Sequence, residues 1–111
     1  MVEIREHQDG SGRSPFQNWF NRLNAEAARK VTTALYRLSL GNVSNVQSVG
    51  SGTHELKINF GPGYRVYFGR DGERIVVLLG GGTKQRQEKD IQLAIALWES
   101  YKHGKNQKEE E

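Results

Sequence analysis

Lysine and arginine side chains recur through the middle of the chain, where they could bind and neutralise phosphate. The segment from Glu55 to Lys89 contains seven cations and four carboxylates. Arg65 is the best candidate, because a guanidinium fork matches two phosphate oxygens. A basic cluster of this kind predicts an anionic partner, either RNA or an acidic protein segment.

The elements that would position these cations follow from hydrophobic periodicity. Residues 1–7 alternate as a short strand, and Ser14 and Pro15 are a favourable helix start. Apolar stripes then predict a helical hairpin with a break at Asn24 and an end at Gly41. Residues 42–52 are predicted to form a polar loop, and the last helix runs over residues 87–103. The expected fold class is α+β, with a three-stranded antiparallel meander between the hairpin and the C-terminal helix.

The meander is predicted over residues 53–60, 64–70 and 73–80, with turns at Gly61-Pro62-Gly63 and Asp71-Gly72. These loop lengths pair Lys57 with Tyr67, Asn59 with Arg65, and Arg65 with Leu78. Because strand side chains alternate, one face is then apolar and faces the helical hairpin. Its members are Leu56, Ile58, Phe60, Tyr64, Val66, Phe68, Ile75, Val77 and Leu79. The other face carries Glu55, Lys57, Asn59, Arg65 and Tyr67 over Val76, Leu78 and Gly80, with Lys84 and Arg86 just beyond it.

Composition limits the function classes. A chain of 111 residues has room for one domain, predicted over residues 1–104 and followed by a disordered polar tail at 105–111. The absence of cysteine excludes disulfides and thiolate metal sites, and the three histidines lack ligand spacing, so no metal and no cofactor are expected. No apolar run is long enough to cross a bilayer, and the N-terminus does not resemble a signal peptide. A cytoplasmic location is therefore expected.

Residues 54–91 resemble the RelE/ParE superfamily of bacterial toxins, in its HigB-like "addiction module killer protein" branch. The residues that carry the resemblance are Glu55-Leu56-Lys57, Gly63-Tyr64-Arg65-Val66-Tyr67, the glycines at 80–82, and Lys84. The order of elements fits over about residues 2–103. The resemblance implies a fold similar to that of microbial ribonucleases and the toxin of a type II toxin–antitoxin system. The cognate antitoxin in this branch is often a helix-turn-helix protein.

For RelE-like members the resemblance implies ribosome-dependent mRNA cleavage, the activity of an mRNA interferase. In this endoribonuclease reaction a ribose 2′-OH attacks the adjacent phosphorus. Arg65 matches the family's catalytic arginine, Lys57 a basic strand residue near the 2′-OH, and Lys84 a second cation. RNA-binding roles are assigned to Arg86, Tyr67 and Asn59, and Glu55 and His54 are alternative proton carriers. The chain lacks the C-terminal His or Tyr that several members use as the acid, and Tyr101 is the nearest substitute.

ParE-like members of the same superfamily inhibit DNA gyrase without catalysis, so gyrase is the alternative target. The helices, with residues such as Arg22 and Arg29, would then matter more than the sheet. A third reading is a relic that binds its antitoxin and has lost toxicity. The expected partners are therefore the antitoxin and either mRNA on the ribosome or gyrase, with no membrane involved.

Several candidate residues also have structural explanations that the sequence leaves open. Arg65 and Lys57 would be unremarkable on a solvated strand face. His54 falls on the apolar face of its predicted strand, which favours a structural role over catalysis. The glycines at 80–82 are explained by a strand end as well as by space for a nucleotide.

Overall fold

The computed structural model describes the backbone of residues 1–110 and the side chains of residues 1–105. Its strands are β1 (Glu3–Glu6), β2 (Val46–Gly50), β3 (Thr53–Ile58), β4 (Tyr64–Asp71) and β5 (Ile75–Thr83). Its helices are α1 (Pro15–Phe20), α2 (Ala25–Ser39) and α3 (Gln87–Glu110), the last preceded by a 3₁₀ turn at Lys84–Arg86. The α+β class and the C-terminal helix are confirmed.

The two helices of the hairpin begin at side-chain caps, of which the sequence indicated Ser14 as a helix start and Asn24 only as a break. Ser14 Oγ accepts a hydrogen bond from the backbone N–H of Gln17 at 3.0 Å, and Pro15 occupies the first helical turn. Asn24 Oδ1 accepts in the same way from Ala27 N–H at 2.9 Å. Each cap satisfies a backbone donor that has no partner inside its helix, which fixes where the helix starts.

The sheet has five strands in the order β1-β5-β4-β3-β2, so the predicted three-stranded meander is wrong. β1 pairs in parallel with β5, and the other neighbours are antiparallel. The predicted polar loop at 42–52 contains the missed strand β2, which forms the sheet edge beside β3. Its apolar content is low because an edge strand is half exposed. The turn into β3 places Gly50, Ser51 and Gly52 at φ values of 101°, 54° and 80°, which explains its loop-like composition.

The β3–β4 register differs from the prediction by two residues. Lys57 lies opposite Arg65 and Glu55 opposite Tyr67, because residues 59–63 all leave the ladder. A slip of two preserves which face each side chain occupies, so the predicted face of Glu55, Lys57, Arg65 and Tyr67 is correct.

The β4–β5 pairing contradicts the face assigned to β5. Asp71 pairs with Ile75 and Phe68 with Leu78, an odd shift relative to the predicted register. Val76 and Leu78 therefore face the helical hairpin, and Val77 and Leu79 face α3. An irregularity between Tyr67 and Phe68 then realigns the strand, which brings Gly80 opposite Tyr67 and Gly82 opposite Arg65.

A hydrophobic core lies on each side of the sheet. The hairpin side is formed by the buried residues Phe16, Val31, Leu38, Leu56, Ile58, Val66, Phe68, Val76 and Leu78. The α3 side is formed by Tyr67, Val77, Leu79, Ala94 and Trp98. Trp19, Trp98 and Tyr101 pack against these cores, as the helical stripes predicted. The face that carries the candidate site is thus partly covered by α3.

The last helix does not end at Gly104, because α3 continues to Glu110. Lys105 Nζ lies 2.5 Å from Asp71 Oδ1, and Tyr101 donates a hydrogen bond of 2.7 Å to Asp71 Oδ2. These hydrogen bonds, first that of Lys105 and then that of Tyr101, lower the pKa of the Asp71 carboxyl. The predicted disordered tail begins at Lys105, which is helical, and the side chains beyond it lie outside the described residues. Among the helices described, none has the length and apolar character needed to cross a membrane.

Candidate functional site

A buried ion pair forms the centre of the candidate site. Arg65 on β4 and Glu55 on β3 are 4% and 5% exposed, and Arg65 Nε lies 2.5 Å from Glu55 Oε1. The N–H of Nε is not aligned as a hydrogen bond, so the contact is mainly electrostatic. Two charges removed from water in this way are retained only when each compensates the other.

The Arg65 guanidinium is also held by a backbone group just before the start of β4. Arg65 Nη1 donates a hydrogen bond of 2.6 Å to the carbonyl oxygen of Gly63. Gly63 has a φ of 79°, and a Cβ there would lie 3.0 Å from Arg65 Nη1 and 3.5 Å from Lys84 Cβ. The glycine therefore leaves room for Arg65 Nη1 close to the backbone, with Lys84 nearby.

Gln87, the first residue of α3, completes the centre and was missed by the sequence analysis. Its Nε2 lies 3.0 Å from Glu55 Oε1 and 3.2 Å from Glu55 Oε2, and it donates to the carboxylate. Glu55 and Gln87 are 32 residues apart, and no local pattern links them. The nearest signal was the position of Gln87 directly after the Lys84–Arg86 turn.

The glycines at 80–82 allow side chains from other elements to pack closely against the backbone of β5 on both faces of the sheet. A Cβ on Gly81 would overlap the Trp19 ring, and a Cβ on Gly82 would overlap the Asp90 carboxylate. Gly80 has no neighbour within 4 Å of such a Cβ. Two of the three glycines are thus required by packing, and only Gly80 leaves open space.

Tyr67 is not placed where it could stack on a base. Its side chain is 1% exposed, and its hydroxyl has no hydrogen-bond partner. Burial, followed by the negative charges of Glu55 and Asp90, raises the pKa of Tyr67 well above its usual range. Asp90 Oδ2 is also buried without a partner, and burial raises the pKa of Asp90 while Arg86 opposes that change. Both polar groups are held beneath α3.

One cavity opens at this centre, and two more are lined by other residues in the part of the chain that the structure describes. The carboxylate cavity, about 290 Å³, is lined by Glu55, Arg65, Gln87, Lys57 and residues 44–47. The basic groove, about 550 Å³, lies between α2 and the end of β3 and shares Ser44, Asn45 and Lys57 with the carboxylate cavity. The glycine cavity, about 410 Å³, lies between α1, the end of β5 and α3.

The remaining predicted site residues separate into those near the centre and those away from it. Lys57 is exposed opposite Arg65, and Lys84 is exposed beside Gly63. Asn59 lies past the end of β3 and lines the basic groove without reaching the carboxylate cavity. Arg86 is exposed and lines the glycine cavity.

His54 lies on the opposite face of the sheet from Glu55. Its ring stacks on Phe68 with centroids 5.3 Å apart and an interplanar angle of 24°. Burial, assisted by the charge of Arg70, lowers the pKa of His54, which favours the neutral ring. The structure therefore does not bring His54 to the site as a proton carrier. Within the described residues, no cluster of three His, Asp or Glu side chains is arranged to hold a metal.

The centre combines a buried carboxylate, a guanidinium, and two exposed cations, Lys57 and Lys84, at its edge. A carboxylate has about four acceptor positions, and Arg65 and Gln87 use only part of that capacity. The arrangement is suited to holding a polar or anionic group in the carboxylate cavity while charge develops on it.

Comparison with known proteins gives one informative relative. The chain is 41% identical over 83 residues to an uncharacterized protein of Haemophilus influenzae, an alignment that covers 74% of this chain and 84% of the relative. No protein-family model matches the chain.

Proposed function

We propose that this chain, which belongs to the same family as the uncharacterized Haemophilus influenzae protein, is the toxin of a type II toxin–antitoxin system. It stops translation by cutting mRNA on the ribosome. The observation that carries the proposal is the buried Glu55–Arg65 pair, flanked by Lys57 and Lys84 on the face that also holds a cavity. The resemblance of residues 54–91 to RelE-like toxins supplies the reaction class.

In the proposed reaction the 2′-OH oxygen attacks the adjacent phosphorus and the P–O5′ bond breaks. The products are a 2′,3′-cyclic phosphate and a free 5′-OH. The Glu55 carboxylate takes the 2′ proton, a role in which it replaces Lys57 as the preferred base because it lines the carboxylate cavity beside Arg65, where the phosphate would lie. Arg65 neutralises the phosphorane, and a general acid–base step of this kind contributes about 10²–10⁴-fold.

The two exposed lysines have the complementary roles. Lys57 and Lys84 make no ion pair with any described residue, so their charge is available to phosphate oxygens. One of them supplies the proton to the leaving 5′ oxygen, since no histidine lies at the centre. Arg65 reaches a phosphate only by exchanging its contact with Gly63 or Glu55, and Gln87 must move for the cavity to open.

The test is cell-free translation of a defined mRNA, with 5′ ends read by primer extension. The informative variant is Lys57→Ala/Lys84→Ala, because both side chains are exposed and their loss should not unfold the protein. Arg74→Ala/Lys89→Ala removes the same charge from exposed positions away from the site. We expect cuts inside codons, only with translating ribosomes, that the control retains and the site variant loses by at least about 100-fold. Intact mRNA and normal protein synthesis with the wild-type protein would contradict the proposal.

A gyrase-directed toxin is the second candidate. The observation that favours it is that Glu55 and Arg65 are buried and paired, as in an ion pair with a purely structural role. Such a toxin would act through the exposed surface of its helical hairpin, where Arg22 lies in the turn between α1 and α2. A supercoiling assay that shows inhibition of gyrase by the wild type and by Lys57→Ala/Lys84→Ala, but not by Arg22→Glu, would support it over mRNA cleavage.

A further inference from the structure

The basic groove has a charge imbalance that the carboxylate cavity does not explain. Its cations are Arg29, Lys30 and Arg37 from α2 and Lys57 from β3, and its only carboxylate is Glu26. All four cations are exposed, and none lies within ion-pair distance of a carboxylate among the described residues. The net charge of this one groove therefore equals the +3 of the whole chain.

Three of the four cations, Arg29, Lys30 and Arg37, come from α2 and line one wall of the groove, and Lys57 comes from β3. Arg29 and Arg37 are eight residues apart, which separates them by about 12 Å along the axis of α2. The opposite wall is formed by the loop residues Asn42, Ser44 and Asn45, which supply neutral hydrogen-bonding groups. A row of positive charge facing polar groups suits an extended polyanion better than a single compact ion.

An aromatic platform lies at one end of the groove. Phe60 is half-buried and stacks with Tyr64, with centroids 6.4 Å apart and an interplanar angle of 20°. Lys30 Nζ lies 5.4 Å from the centroid of the Phe60 ring. Aromatic rings beside a cationic track are typical of proteins that bind single-stranded nucleic acid, because bases stack on the ring while phosphates follow the cations.

The basic groove lies on the hairpin side of the sheet and the carboxylate cavity on the α3 side, and the two border each other at shared residues. Lys57, Ser44 and Asn45 line both the basic groove and the carboxylate cavity. We propose that the basic groove binds single-stranded RNA and delivers it to Glu55 and Arg65, an inference that rests on the proposed function. The four cations hold successive phosphates, and Phe60 stacks on a base several nucleotides from the cleaved bond. We expect a double helix not to bind there, because its stiff backbone cannot enter the basic groove between α2 and the sheet.

The test measures binding of a 5′-labelled, single-stranded 2′-O-methyl RNA 12-mer, which cannot be cleaved through the 2′ oxygen, by fluorescence anisotropy at several salt concentrations. The groove variant is Arg29→Glu/Arg37→Glu. The control is Arg74→Glu/Lys89→Glu, which changes the net charge equally at exposed positions outside the groove. We expect the groove variant to weaken binding about 10-fold beyond the control and to reduce the slope of log affinity against log salt by about 1.4.

Three outcomes would overturn the inference: equal losses in the two variants, equal binding of a 12-base-pair duplex, or displacement of the RNA by a poly-glutamate peptide of matching charge. The last result would assign the groove to an acidic protein instead. Phe60→Leu provides a second check, since loss of stacking should weaken binding about 5-fold or more with the salt slope unchanged. A groove-dependent affinity combined with intact mRNA in the translation assay would refute cleavage and leave the groove assignment in place.

Discussion

The Glu55–Arg65 pair allows a quantitative test of the site as the structure describes it. Arg65→Met removes the guanidinium and keeps the apolar stem, and Glu55→Gln removes the charge and keeps the shape. Each change leaves one charge buried without its counter-charge, at positions only 4–6% exposed. Breaking a buried pair in this way costs about 3–5 kcal/mol, a large part of the roughly 5–15 kcal/mol that stabilises a domain. The double variant leaves no uncompensated charge and should cost much less than the sum.

The wild type, the two single variants and the double variant are unfolded in urea. Circular dichroism then gives the free energy of unfolding of each protein. A loss of about 3 kcal/mol moves the midpoint by about 2 M, given a typical slope of about 1.5 kcal/mol per M. We expect each single variant to show such a shift, and a coupling free energy of at least about 2 kcal/mol from the cycle. Single losses below about 1 kcal/mol that simply add would mean that water screens the two charges. The burial argument for the site would then be refuted.

Other positions give independent predictions. Gly81→Ala should destabilise the protein by about 1–3 kcal/mol, because its methyl group would overlap Trp19, whereas Gly80→Ala, with open space, should be tolerated in the same thermal melt. Asp90→Asn should raise the melting temperature at pH 7 by a few degrees, about 1 kcal/mol, because the wild-type carboxylate has a buried oxygen without a partner. Its raised pKa makes this difference grow as pH rises above 3.8, and a constant difference would contradict the assignment. Asp71→Asn should have the opposite pH signature, since a lowered pKa gives the wild type extra stability at pH 7 that is lost as pH falls below 3.8. Melts at pH 3, 5 and 7 check both signs.

Local patterns were sufficient for most of the fold. The cap at Ser14, the break at Asn24 and the apolar stripes predicted the two hairpin helices to within a few residues, since these signals act within one or two helical turns, whereas α3 extends seven residues beyond its predicted end. Strand β2 was missed, although it forms a local hairpin with β3, because only two of its five residues are apolar and its Gly50-Ser51-Gly52 turn has the composition of a loop. An edge strand depends on the ladder of its neighbour rather than on its own composition.

Whether the register error of a hairpin was an even or an odd number of residues decided whether its strand faces were predicted correctly. The error in the β3–β4 loop was even, so Glu55 and Arg65 remained on one face despite the wrong register. The error in the β4–β5 turn was odd, so Val76 and Leu78 were assigned to the wrong face, and only beyond the irregularity between Tyr67 and Phe68 do the predicted and observed faces agree again. Turn composition does not determine loop length to a single residue, which is the accuracy that face assignment requires.

The candidate site brings together residues that lie far apart in the sequence. Arg65, Lys57 and Lys84 could be selected because they share strand parity or follow a strand end, but nothing local indicated that Arg65 is buried against Glu55. Gln87, which donates to Glu55 from the start of α3, is 32 residues away from it in the sequence. Loss of toxicity in Arg65→Ala would therefore not separate lost chemistry from lost stability, because the variant leaves the Glu55 carboxylate buried without its counter-charge. Exposed Lys57 and Lys84 are the residues on which the chemistry can be tested without disturbing the fold.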